Sequence, residues 1–182
     1  AARVHLLPAL AADSLLHGQL RDRPVHHQDC FGMSVPASAL PSGDAAAVLA
    51  QLLDSFLAHR HAGVSRLMAC RNLLVRPLKL RRSPLACPVS SLLGDGSPAR
   101  FGRHPVHAVQ LSADGRTAQV VLGADDKHLA FRSSVEVRLD AHGMVHVSLA
   151  NRVACRNAFG RVYMALIERA HRRYIAPRLL AV

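Results

Sequence analysis

Apolar and polar positions alternate from Leu129 to Leu139. Leu129, Phe131, Ser133, Val135, Val137 and Leu139 share one face, and Arg132, Ser134, Glu136 and Arg138, led by His128, share the other. A period of two predicts a half-buried antiparallel strand, with the polar side on the solvated face of a sheet. Asp140-Ala-His-Gly143 then turns the chain into a second alternating run, Val145–Val153. Upstream, Val106–Leu111 and Thr117–Leu122 flank Asp114-Gly115, a pair that suits a tight hairpin. The pattern gives an antiparallel meander of at least four strands. Cys30–Val35 reads as an earlier strand, and Ala12–Gln19 as a short helix.

Two segments switch to the helical period. Val48, Leu49, Leu52, Leu53, Phe56 and Leu57 form a stripe in a helix that starts at Asp44 and runs to about His59. A second helix over Val64–Val75 stops before Pro77, and the two make a helical hairpin. Residues 77–104 are rich in Pro, Gly, Ser and Arg and read as irregular, with one short strand at Leu85–Val89. From Asn157 to about Ala176 the stripe is Phe159, Val162, Tyr163, Leu166, Ile167, Ala170 and Tyr174. The expected fold is α+β: a curved antiparallel sheet with a helical hairpin and a long C-terminal helix packed across it. It forms a single domain over 1–182.

Composition narrows the function classes. Half of the 182 residues are apolar and Trp is absent, so the core rests on Leu, Val and Ala. No apolar run reaches the roughly 18 residues of a membrane span, and the first residues have no signal-peptide pattern. Four scattered cysteines without CxxC spacing read as reduced thiols of a cytoplasmic protein. The net charge of +11 comes almost wholly from arginine, Lys79 and Lys127 being the two lysines. With no recognition motif, that charge does not make a specific nucleic-acid binder. His26-His27-x-x-Cys30 and His59-x-His61 match no zinc spacing, so no metal is expected. There is no Gly-x-Ser-x-Gly elbow for a nucleophilic enzyme and no Gly-rich phosphate loop for a nucleotide enzyme, and no cofactor is expected.

Several blocks together resemble the domain of unknown function family 2867. They are Asp29-Cys-Phe31; Arg71-Asn-Leu-Leu-Val75 with Leu78-Lys79; Gly123-Ala-Asp-Asp-Lys-His-Leu-Ala-Phe-Arg-Ser-Ser-Val135; and Asn157-Ala-Phe-Gly-Arg-Val-Tyr163 with Ile167 and His171-Arg172. The chain departs from that family in lacking a Trp near the second helix, and in having Arg169-Ala-His-Arg172 where Pro-Phe-His-Arg is usual. The resemblance implies membership of a group without an established activity. The order of elements is also similar to the helix-grip fold of pollen-allergen and START-like proteins, which implies an apolar cavity between sheet and C-terminal helix.

On that basis the expected ligand-binding residues are Phe131, Val135, Leu149, Tyr163 and Ile167 in the cavity wall, with Arg71 and His171 at its border. Arg71 either pairs structurally with Asp125 or Asp126, which is the favoured reading, or grips an anionic ligand. His128 and Arg132 with Asp125 and Asp126 suit an acid–base group, but the alternation places them on the solvated face. The leading expectation is a non-catalytic protein that binds a small apolar or amphipathic molecule. The alternatives are a cyclase- or dehydratase-like enzyme using Tyr163 or His171, and a ligand-free partner-binding module.

Overall fold

A computed structural model of the protein describes residues 3–41, 43–58, 99–170 and 173, apart from the side chains of Leu57, Leu166, Ile167, Arg169 and Ala170. The predicted second helix, the Leu85–Val89 strand, Arg71 and His171 lie outside the described residues.

The fold is α+β. Strands β1 (His5–Leu6), β2 (His27–Pro36), β5 (Ala108–Leu111), β6 (Thr117–Asp125), β7 (Leu129–Leu139) and β8 (Met144–Cys155) form one antiparallel sheet in the order β1-β2-β8-β7-β6-β5. The predicted meander is β5 to β8, and two of its three hairpins turn where the sequence says they should. Gly115 takes a φ of 68° in the first, a left-handed conformation that costs glycine little. In the second, Asp140 Oδ1 accepts the backbone N–H groups of His142 and Met144. The sheet closes by pairing β2 with β8 along its length, from His27 opposite Val153 to Pro36 opposite Met144.

Both described helices pack on one face, here the inner face. Helix α1 (Ala45–Ala58) starts where Asp44 Oδ2 accepts the Ala47 N–H. Its Val48, Leu49, Leu53 and Phe56 join Phe31, Val120, Leu122, Val135, Val137, Val147 and Leu149 in the main core. A small hairpin, β3 (Ala99–Phe101) with β4 (His104–Val106), falls in the stretch expected to be irregular. Val106 reaches the core from it, and Asp54 of α1 accepts hydrogen bonds from Arg103 and His104. Helix α2 (Ala158–Ala170) follows β8 directly and covers the other end of the inner face, where Met164 and Tyr163 meet Leu129, Phe131, Val153 and Cys155. Its packed side is not quite the predicted stripe. Val162 is 59% exposed, Phe159 also faces solvent, and the buried contacts come from Gly160 and Met164. The described part of this helix ends at Ala170, short of the expected Ala176.

The outer face departs from expectation, because it is covered rather than solvated. Residues 7–20 cross it, turning once through a short 3-10 helix at Leu15–Gly18 in place of the longer helix read there. Leu7, Leu10 and Leu16 pack on Cys30 and Ala150, and Leu20 packs on Ala130 and Ala154. The polar positions of β6 and β7 hold this layer down. Gln119 accepts the Leu15 N–H and donates to the Asp13 carbonyl, and Arg138 bridges Asp13 and Glu136 at 2.7 Å each. Polarity that marks a solvated face in the sequence here binds the backbone and side chains of a second layer.

Candidate functional site

Alternation along β2 sends His27, Asp29 and Phe31 to the inner face and Cys30 to the outer one. Asp29 stands beside Asn151 of β8, which stands beside Ser133 of β7. These residues make a continuous buried line. Ser133 Oγ donates to Asn151 Oδ1 at 2.6 Å, and Asn151 Nδ2 donates to Asp29 Oδ1 at 2.7 Å. Asp29 Oδ2 lies 3.0 Å from His27 Nε2, and His27 Nδ1 lies 3.3 Å from Glu168 Oε1 on α2. The Asp29 side chain is 1% exposed and that of Glu168 40%, so the line runs from the sheet interior to the surface.

Placed between the α1 core and the α2 cluster, this row is polar where a purely structural interior would be aliphatic. Burying a carboxylate costs several kcal/mol unless charge-assisted hydrogen bonds offset it. Both nitrogens of His27 face carboxylate oxygens, so the ring is oriented whichever nitrogen carries a proton. Such a line can fix a polar group of a bound molecule or pass a proton toward Glu168.

The α2 junction is built on the Asn157-Ala-Phe-Gly-Arg-Val-Tyr163 block. Asn157 Oδ1 caps the helix by accepting the Gly160 N–H at 2.9 Å. A Cβ at position 160 would overlap the His128 carbonyl oxygen, so only glycine lets the helix approach this closely. The His128 ring is 2% exposed and lies edge-on to Phe159 and Tyr163, with centroids 5.6 and 5.1 Å away. Its Nδ1 is 3.5 Å from Asp126 Oδ2. His128 is therefore buried beneath α2, not displayed on a solvated face.

Of the residues expected to bind ligand, Val135 and Leu149 pack in the core under α1, and Phe131 and Tyr163 meet at α2. Ile167 lies on α2, its side chain outside the described set. Asp125 pairs with Arg132 and Arg156, both at 2.7 Å, and with Arg23 at 3.7 Å; the expected pairing with Arg71 involves a residue not described. Partial burial pushes the Asp125 carboxyl up, but the three arginines outweigh it and leave its pKa below the ordinary value. The His26-His27-x-x-Cys30 group is divided: His26 Nδ1 accepts the Cys155 N–H, while His27 and Cys30 point to opposite faces. Burial, helped by Asp29 and Glu136, pushes the Cys30 thiol up to about 11, far from the range of a nucleophile.

Sequence reasoning missed Ser133, Asn151, Asp29, His27 and Glu168 as one group. Their signal was a polar residue at an inward position on each of three strands.

A six-stranded antiparallel sheet, with the two described helices on one face and a buried polar row between their clusters, defines an α+β protein with a candidate site on that face. The family described as protein of unknown function (DUF2867) matches residues 23–178, and the chain belongs to it. No curated protein and no solved structure matches the chain. Among the described residues, no helix is long and apolar enough to cross a membrane.

Proposed function

We propose that this protein binds a small amphipathic molecule on the inner face of its sheet, between the sheet and the C-terminal helix, in a helix-grip-like arrangement. The observation that carries the reading is the Ser133–Asn151–Asp29–His27–Glu168 row. It supplies polar anchors, and Phe131, Val153, Met164 and Tyr163 beside it supply apolar surface. A few convergent polar groups in an apolar setting are the usual make-up of a small-molecule site.

Ligand linkage tests it. Protein stripped with organic solvent or a hydrophobic resin should melt at a lower temperature than protein as purified, and the recovered extract should restore the midpoint. Asn151→Leu, which keeps the volume and removes the anchor, should abolish the restoration. A midpoint indifferent to stripping and to the extract contradicts the reading.

A second reading is favoured by one feature, the orientation of His27 between Asp29 and Glu168, which suits acid–base chemistry of the cyclase or dehydratase kind. Under it the extracted molecule changes mass on incubation with wild type, and His27→Gln still binds it without that change.

A further inference from the structure

The outer face carries a cluster of different chemistry, independent of the binding site proposed above. Arg132 and Arg152 are directly opposed on β7 and β8. Like charges in that relation repel and destabilise a sheet. Arg156 follows β8 and Arg23 reaches in from the N-terminal segment, so that with Arg132 three guanidinium groups converge on Asp125; Arg23 also lies 3.5 Å from Asp22, and Arg21 adds its charge beside Arg152.

The two carboxylates do not satisfy them. Asp125 gives Oδ1 to Arg132 and Oδ2 to Arg156, leaving Arg23 Nη1 at 3.7 Å, beyond hydrogen-bond reach. Arg152 donates to Gln28 Oε1 and the Gln19 carbonyl, both neutral oxygens. Burial and the neighbouring Arg21 both hold the Arg152 pKa below its ordinary value. Arg23 Nη1 and Arg132 Nε are buried donors with no hydrogen-bond acceptor among the described residues. A buried donor left in this state costs about 1–3 kcal/mol, more on a charged group.

We infer that this cluster is an oxyanion site that takes a phosphate group, as inorganic phosphate or as the phosphoryl end of a small molecule. Guanidinium forks match phosphate oxygens in pairs, and a dianion neutralises the excess that Asp125 leaves. The Arg23 and Arg156 side chains, each about a third exposed, keep a route open from solvent.

Isothermal titration of the full chain with inorganic phosphate, at low ionic strength, tests the site. A Kd of about 1 mM or tighter is expected. Arg23→Gln should weaken it about tenfold or more without lowering the phosphate-free melting temperature. Arg132→Lys keeps the charge that folding uses and should also weaken binding, because the fork is lost. Phenyl phosphate tighter than phosphate assigns the phosphoryl end of a small molecule, and equal affinities assign the free anion; both support the site. No binding of either, unchanged affinity in Arg23→Gln, or binding of an oligonucleotide without phosphate would each overturn it.

Discussion

Replacing Asp29 by alanine tests whether the inner-face row is as tightly satisfied as its geometry implies. The change removes acceptors for Asn151 Nδ2 at 2.7 Å and His27 Nε2 at 3.0 Å, in a place where the lost carboxylate is almost wholly buried. Each stranded polar group costs about 1–3 kcal/mol, and the change strands one such group on Asn151 and one on His27. The expected loss is therefore about 3–5 kcal/mol. Asp29→Asn keeps the volume and an acceptor for Asn151, and should lose only about 1–2 kcal/mol. Urea unfolding followed by circular dichroism measures both; at a slope of about 2 kcal/mol/M, the alanine variant's midpoint falls by about 2 M. A loss under about 1 kcal/mol for Asp29→Ala would mean that the carboxylate is hydrated in the native protein, and the reasoning from burial would fail.

Four further outcomes follow from the same structure. Gly160→Ala should destabilise by about 1–3 kcal/mol despite the better helix propensity of alanine, because its Cβ meets the His128 carbonyl; Gly18→Ala, with open space around it, should stay within about 0.5 kcal/mol in the same unfolding assay. Leu16→Ala should cost about 2–4 kcal/mol, comparable with Leu49→Ala in the main core, if the segment over the outer face is integral to the fold; thermal unfolding decides it. The Asp140 carboxyl is held down to about 2 by the Met144 N–H, then by His146 and the His142 N–H, so it stabilises the fold above its ordinary 3.8 and ceases to as pH falls through about 2. Asp140→Asn should flatten the stability–pH curve in that window alone. Cys30, its thiol at about 11, should react with a disulfide reagent at neutral pH only after unfolding.

The strands were legible because their periodicity is strong. The strand ending at Leu139 was read within the run Gly123–Leu139 with its end in place, α1 to within one at each end, and the Asp114-Gly115 turn by its chemistry. What misled was polarity. Gln119, Glu136 and Arg138 look solvent-facing in the sequence, yet they bind the segment laid over them, a tertiary partner that no local pattern contains. The stripe of α2 was misjudged for a related reason. Val162 fits the period, but the helix approaches through Gly160, whose value is the absence of a side chain. The polar row was harder still, since Ser133 and Asn151 each read as one imperfection in an apolar face. Only the register that sets Asp29, Asn151 and Ser133 side by side turns them into a group.

Native mass spectrometry of freshly purified wild-type protein beside Asn151→Leu tests the ligand reading most directly. The account predicts a stoichiometric adduct on the wild type that denaturation releases, absent from Asn151→Leu and weakened in Tyr163→Ala. A bare wild-type mass across preparations, or an adduct that Asn151→Leu retains in full, would contradict it.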